Sequence, residues 1–324
     1  MIVDAVLGLQ YGDEGKGKIS HALLAKGDYD LCVRFNGGCN AGHTIYHKGK
    51  KFVTHHIPAG VFFGVRSIIG NGCVIDLFKF LDELAYLSEN TDLPVGDLVK
   101  VAHNAHIITQ EHRDEERDES IIGTTKTGNG PAYRDKHGRK GVRAFDIPAL
   151  KSFLVDMHTE LYSKPNNKIL MEGAQGFYLD VDWGNYPYVT SCNTGISAVI
   201  QNGIPPAAIR NVYGVIKPYE TYVGAYPFQG PEPELEMLQK QGQEFGATTG
   251  RKRQCNWLNS TMLKRAMDMN GVTHLIVNKM DIMADVGEWR TLAKSFDNEK
   301  QFKEHIREIA SNRWITFSYS PETI

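Results

Sequence analysis

The run Gly12-Asp13-Glu14-Gly15-Lys16-Gly17-Lys18 follows the short apolar stretch Ala5-Val6-Leu7-Gly8-Leu9. Glycines leave backbone N–H groups free to face an anion, and the two lysines add positive charge. The spacing Gly12-x4-Gly17-Lys18 fits a phosphate-binding loop, but Ile19 stands where a Ser or Thr would help hold magnesium. An acid, Asp13, lies inside the loop instead, so phosphate binding and acid–base chemistry would share one segment. A structural turn acid is the plainer alternative for Asp13. The segment from Ile121 to Pro131 is rich in Gly and Thr and suits either a second phosphate-holding loop or an ordinary surface loop.

These loops need elements to hold them. Ile2 to Leu9 reads as a buried strand, and Lys18 to Lys26 carries Ile19, Leu23 and Leu24 at the spacing of a short helix. Strand, glycine loop and helix in that order is the context that phosphate binding requires. Asp30 to Phe35, Lys50 to Thr54, Ser67 to Ile69 and Asn211 to Ile216 read as strands. Ile169-Leu170-Met171 enters the glycine loop Glu172-Gly173-Ala174-Gln175-Gly176, and Leu275-Ile276-Val277 enters Asn278-Lys279-Met280-Asp281. Asp76 to Leu87 has helical spacing, Glu232 to Lys240 suggests a short helix, and Gln110 to Ser120 suggests an exposed helix laced by ion pairs. Strands and helices alternate along the whole chain without repeats or low-complexity linkers. The expectation is one α/β catalytic domain over residues 1–324 with inserted loops.

Composition narrows the partners. A formal net charge of −2 over 324 residues argues against a broad nucleic-acid-binding surface. The five cysteines are widely spaced, with no Cys-x-x-Cys pair, which fits a reducing cytoplasm. The amino-terminal apolar run lacks a basic flank, and no apolar stretch approaches ~20 residues, so neither a signal peptide nor a membrane span is expected.

Taken in order, the glycine loop at 12–18, Asn40-Ala41-Gly42-His43-Thr44, Gly123-Thr124-Thr125, Glu172 to Gly176, Tyr186-Pro187-Tyr188-Val189-Thr190-Ser191, Gly246-Ala247-Thr248-Thr249-Gly250-Arg251 and Lys279-x-Asp281 resemble the adenylosuccinate synthetase family. The resemblance spans most of the chain. It implies an α/β fold with a large, mostly parallel central sheet flanked by helices, related to P-loop GTP-binding proteins. It also implies a homodimeric ligase joining L-aspartate to IMP through a 6-phosphoryl intermediate, with GTP as phosphoryl donor and Mg2+ as cofactor. In that family Asp13 is the general base at purine N1 and a magnesium ligand, and His43 stabilises charge at O6. Lys16 offsets phosphate charge, while Gly12, Gly15, Gly17, Lys18 and Thr44 belong to the triphosphate site and Gly42 offers magnesium a carbonyl. Asn40, Thr125, Gln175 and Thr190 match contacts to the purine nucleotide, and Arg139 would reach its phosphate across the dimer interface. Thr248, Thr249, Arg251 and Arg253 match the loop that receives L-aspartate, where paired guanidiniums suit carboxylates. Lys279, Asp281 and Pro321 match the guanine site, Asp281 accepting from N1–H and the 2-amino group.

Departures from the pattern bear on the substrate. Tyr222 replaces an arginine, Gln254-Cys255-Asn256-Trp257 replaces an arginine-containing run, and Ser320-Pro321-Glu322 lacks the usual terminal arginine. The short chain and Phe177 are similar to archaeal or phage forms. Phage relatives act on dGMP, making the precursor of a 2-aminoadenine nucleotide; because some of them carry serine at the loop acid, the retained Asp13 favours IMP. A nonenzymatic GTP-dependent switch is the alternative from another class; the Thr248 to Arg253 segment argues against it.

Overall fold

The computed structural model describes residues 1–119, 121–246 and 250–322. Nine strands form one sheet: β1 (Ile2–Gly8), β2 (Leu31–Arg34), β3 (Arg66–Ile69), β4 (Val99–Ala102), β5 (Leu154–Val155), β6 (Lys168–Glu172), β7 (Ile209–Ile216), β8 (His274–Val277) and β9 (Trp314–Phe317). Their spatial order is β9-β8-β7-β1-β6-β2-β3-β4-β5, and every pairing is parallel. Parallel strands covered on both faces should be apolar throughout, and β1 has Val3, Ala5, Val6 and Leu7 all buried. Asp4 interrupts that run and is buried as well. It is tolerated because the Tyr29 hydroxyl, Arg210 and Asn211 Nδ2 all donate to its carboxylate.

The first helix, α1 (Lys16–Lys26), buries Ile19, Ser20 and Leu24 and stops at Gly27, whose N–H donates to the Leu23 carbonyl. It begins two residues before the apolar spacing suggests, because Gly15, at φ 92, turns the chain directly into the helix. The helix expected from Asp76 is present over Leu77–Asn90, with the Asp76 carboxylate capping the Lys79 N–H. Two expectations change. The charged segment forms a helix over Gln110–Glu116, but it is not simply an exposed face: His112 and Glu116 turn inward, and Glu116 accepts the Gly128 N–H at 2.6 Å. The Gly/Thr-rich loop also ends early. Asn129, Gly130 and Pro131 open a helix, α2 (Asn129–His137), where Pro costs nothing because first-turn N–H groups have no helical partner.

The sheet order puts β1 in the interior, fourth of the nine strands and between β6 and β7, so the loops leaving the carboxyl ends of these strands meet over its end. A ligand crevice belongs at this edge of an open parallel sheet. Packing there is tight. A Cβ on Gly8 would lie 2.4 Å from Glu14 Oε2 and 2.7 Å from the Gln175 carbonyl. Gly8→Ala is therefore expected to lower unfolding free energy by about 1–3 kcal/mol, as overpacking does in well-filled interiors. Urea unfolding would check this, and an unchanged midpoint would refute it.

Candidate active site

At the carboxyl edge of the sheet lies a cavity of about 680 Å³. Every candidate site residue in the described part of the chain lines it except Arg139. Arg139 is exposed beyond the end of α2. Thr248 and Thr249 fall outside the described residues.

The phosphate loop is held from below by its own acid. Glu14 is buried; its Oε1 accepts the backbone N–H groups of Gln10 and Gly12, and its Oε2 accepts Lys16 Nζ at 2.6 Å. Asn278 Nδ2 donates to the Glu14 carbonyl at 2.7 Å, joining the loop to the segment after β8. Gly15 cannot be replaced freely, because its φ is 92° and a Cβ would lie 2.7 Å from Asn278 Nδ2. No described side chain caps α1, so its first-turn N–H groups face the cavity unpaired by the helix.

Asp13 sits at the loop tip with φ 60°, its side chain 34% exposed. Arg253 Nε approaches its carboxylate to 2.7 Å as an ion pair rather than an aligned hydrogen bond. The same guanidinium donates from Nη1 to Glu244 Oε2 at 2.6 Å. Residues predicted for proton abstraction and for the incoming amino acid are thus in direct contact.

His43 is almost fully buried at the start of a hairpin made by His43–His47 and Lys50–Thr54. Its Nδ1 lies 2.8 Å from Glu172 Oε1, and Arg34 Nη1 lies 2.8 Å from Nε2. The Glu172 carboxylate can only accept, which puts the proton of the neutral ring on Nδ1; Arg34 Nη1 lies 3.0 Å from Nδ1 as well as 2.8 Å from Nε2, a contact shared by the two nitrogens. Burial, reinforced by the Arg34 charge, pulls the His43 pKa down to about 4. Burial opposes ionisation of Glu172, but Arg34 and then His43 overcome it and hold the carboxyl at about 2. The Nδ1–H is therefore committed to Glu172, and donation from Nδ1 to a substrate must replace that bond.

At the other end, Lys279 has φ 58° and opens the helix α3 (Met280–Val286), placing Asp281 in its first turn. Asp281 does not act as the cap. Lys18 Nζ donates to Ser318 Oγ at 2.6 Å and to the Ser320 carbonyl at 2.7 Å, tying the phosphate loop to the segment beside Pro321. Burial lowers the Lys18 pKa to about 8. On the opposite wall, Gln175 Nε2 donates to Asn40 Oδ1 at 3.2 Å, the Thr125 and Thr127 hydroxyls lie 2.8 Å apart, and Arg251 Nη1 donates to the Gly123 carbonyl.

The departures in sequence are filled rather than empty. Tyr222, where an arginine was expected, is buried edge-on to Tyr11 with ring centroids 5.9 Å apart, and Phe228 packs against both rings. Trp257 is fully buried, donates from Nε1 to Glu232 and lies under the Arg290 guanidinium. The sequence reading assigned no role to Glu14, Arg34, Glu172, Lys217, Glu244 or Asn278. Three of them, Glu14, Glu172 and Asn278, stand inside motifs it did quote. Glu244 stands two residues before Gly246, and Arg34 and Lys217 carried no signal.

Comparison with known proteins places these features. The family model described as adenylosuccinate synthetase matches residues 5–164 and 147–313. The adenylosuccinate synthetase of Desulfosudis oleivorans is 38% identical over 332 residues, covering 86% of this chain and 77% of the relative. That of Komagataella phaffii is 38% identical over 344 residues, covering 87% and 79%. The structure of fully ligated adenylosuccinate synthetase from Plasmodium falciparum is similar at TM-score 0.78 and 32% identity, over 87% of this chain and 78% of that one. The cyanophage S-2L succinoaminodeoxyadenylate synthetase, bound to dGMP and to dATP as energy donor, is similar at TM-score 0.77 and 24% identity, over 99% and 93%. The last likeness speaks for the fold.

His43 generates a pH prediction. Its folded pKa of about 4 lies below the ordinary 6.5, so its neutral form contributes stability above pH 6.5. That contribution is lost as pH falls from 6.5 through 4, up to about 3 kcal/mol. Urea unfolding free energy should fall more steeply between pH 7 and pH 5 in the wild type than in His43→Asn; parallel profiles would contradict the buried neutral imidazole.

Proposed function

The chain belongs to the adenylosuccinate synthetase family, and from that premise we propose that it joins L-aspartate to IMP, with GTP as phosphoryl donor, giving adenylosuccinate, GDP and phosphate. The observation that carries this reading is the contact between Asp13 of the phosphate loop and Arg253 of the amino-acid segment. A GTP-dependent switch has no use for an arginine pair beside its phosphate loop, whereas a ligase must bring both substrates to one atom.

The chemistry follows from the positions. Asp13 takes the N1 proton of the purine, making O6 nucleophilic toward the γ-phosphorus. O6 attacks, the bond to the bridging oxygen breaks, and GDP leaves. The L-aspartate amine then adds at C6, and phosphate departs with the O6 atom. Exposed N–H groups at the start of α1 and Lys16 meet the phosphates, while His43 donates to the developing charge at O6 after trading one protein partner. Arg251 and Arg253 orient the amino acid's carboxylates. Asp281 accepts from guanine N1–H and the 2-amino group, donors that adenine lacks, and the Lys279 stem packs beside the base.

The donor set fits magnesium. The Asp13 carboxylate and the Gly42 carbonyl are hard oxygens on the cavity wall. Among the described residues no group of three or more His, Cys, Asp or Glu could hold a metal. A magnesium ion bound by one or two protein oxygens, phosphates and water needs no such cage. When bound, the ion would neutralise charge on the transferring phosphoryl group. Arg139, exposed and outside the cavity, is assigned to the nucleotide phosphate of a neighbouring subunit in a homodimer, which solution mass with and without nucleotide would test.

A second substrate reading keeps the chemistry and replaces IMP by dGMP. Its support is the resemblance of several loops to phage forms, Phe177 among them, and the retained Asp13 weighs for IMP. The deciding experiment supplies L-aspartate, GTP and Mg2+ with either nucleotide and identifies the product by mass. Adenylosuccinate from IMP is expected; aspartate-independent GTP hydrolysis with neither product would sink the ligase reading. Asp13→Asn should lower kcat by about a hundredfold or more, the usual range for a lost general base. Asp281→Asn should raise KM for GTP by about tenfold or more, as for a lost charge-assisted pair, and leave KM for L-aspartate unchanged.

A further inference from the structure

We propose that Glu244 is a positioning residue that fixes the amino-acid site, the guanine site and the phosphate-loop acid in one register. The proposal rests on the ligase reading for the identity of the substrates. Glu244 is fully buried just before the amino-acid loop. Its Oε1 accepts from Tyr219 Oη at 2.7 Å, Lys279 Nζ at 2.7 Å and Lys217 Nζ at 3.1 Å, and its Oε2 accepts from Arg253 Nη1 at 2.6 Å. Four donors saturate what a carboxylate can accept.

The donors divide into two kinds. Lys217 directly follows β7 and Tyr219 opens the short strand Tyr219–Tyr222 beyond it; both are fully buried, and Lys217 is further held by the Thr221 hydroxyl. They anchor the carboxylate to the sheet. Lys279 and Arg253 line the cavity. Lys279 opens α3 from a left-handed backbone conformation that residues other than glycine adopt uncommonly. Its ammonium is clamped by Glu244 and by the Gly242 carbonyl at 2.9 Å, which sets the start of α3 and with it the aim of Asp281. Arg253 spends Nη1 on Glu244 and presents the rest of its fork toward Asp13 and the space where an amino-acid carboxylate would sit. Burial opposes the charge on Glu244, but Lys217, Lys279 and Arg253 together keep its carboxyl well below the usual range. Burial in turn lowers Lys217 to about 8. The cluster therefore holds one anion for three cations, and removing it affects two substrate sites at once.

Charge balance and positioning make different predictions. Glu244→Gln removes the anion but keeps the shape; the double variant Glu244→Gln/Lys217→Met also removes the anchoring cation and restores the balance. Steady-state kinetics with all three substrates, GTP calorimetry and thermal unfolding would be measured for each. In Glu244→Gln, KM for L-aspartate and Kd for GTP should each rise by about tenfold, the size of one lost charge-assisted hydrogen bond, with KM for the purine nucleotide within about twofold. The double variant should recover most of the lost melting temperature yet keep both defects. Wild-type affinity for GTP and L-aspartate in the double variant would overturn positioning in favour of charge balance. A parallel rise in all three substrate constants of Glu244→Gln would also overturn it. If the wild type turns over neither IMP nor dGMP, the ligase reading fails separately. GTP calorimetry still decides this proposal, because unchanged GTP affinity in both variants would refute it.

Discussion

A cavity that receives anionic substrates must be lined with cations, and cations drawn out of water need compensation, most directly from buried carboxylates. The rest of this site is arranged around that requirement. Glu14 neutralises Lys16 beneath the phosphate loop, Glu172 neutralises Arg34 beside His43, and Glu244 is shared by Lys217, Lys279 and Arg253. Each carboxylate also takes at least one uncharged donor: backbone N–H groups for Glu14, the Ala59 N–H for Glu172 and a phenol for Glu244. Those extra bonds offset the desolvation that a bare buried pair would leave uncompensated.

The sheet explains how residues so far apart in sequence satisfy this requirement. Glu172 ends β6, Lys217 directly follows β7, Asn278 directly follows β8, and Arg34 ends β2. In a wholly parallel sheet all of these ends lie on one edge, so chain direction delivers the charges to a common plane without long loops. The interior position of β1, between β6 and β7, puts the phosphate loop over that plane. Asn278 then fastens the loop to the end of β8 across 264 residues of sequence, and Lys18 fastens it to the segment after β9. Position along the sheet edge also separates the proposed substrate contacts: the residues proposed to read guanine follow β8 and β9, and Asn40 and Gln175, proposed to face the purine, follow β2 and β6.

What could be read from sequence was local. The phosphate loop announces itself because glycines, lysines and a preceding apolar run are contiguous, and the strands entering residues 172 and 278 are short apolar runs ending in motifs. Ends of elements were displaced where backbone geometry overrides side-chain spacing, as at Gly15 and Asn129. Glu116 could not be separated from its charged neighbours, because its partner is the N–H of Gly128, twelve residues away in a different element. Lys217 and Arg34 were invisible for the same reason. A single lysine or arginine next to a strand is usually a solvated end, and only tertiary packing turns it into a buried charge. Tyr222 is the opposite case, a visible departure whose consequence, an aromatic cluster with Tyr11 and Phe228, depends on contacts no motif encodes.

Four of the carboxylates at or beneath the cavity wall, Asp13, Glu14, Glu172 and Glu244, are not equivalent, and the difference bears on which one can do chemistry. Glu14, Glu172 and Glu244 have fully buried side chains, and each is committed to several protein donors. A proton or a metal ion could reach them only by breaking those bonds and exposing a buried cation. Asp13 keeps a third of its side-chain surface exposed and, among the described residues, has one ion-pair partner, Arg253, without the alignment of a full hydrogen bond. Of the four it alone can exchange its partner at low cost, since an incoming carboxylate on Arg253 leaves the guanidinium neutralised and still bonded to Glu244. Removing the N1 proton of a purine demands a carboxylate that is held in place yet uncommitted. The three buried acids supply the first condition by fixing the loop and the arginine, and the left-handed turn at Asp13 supplies the second by lifting that one side chain out of the network.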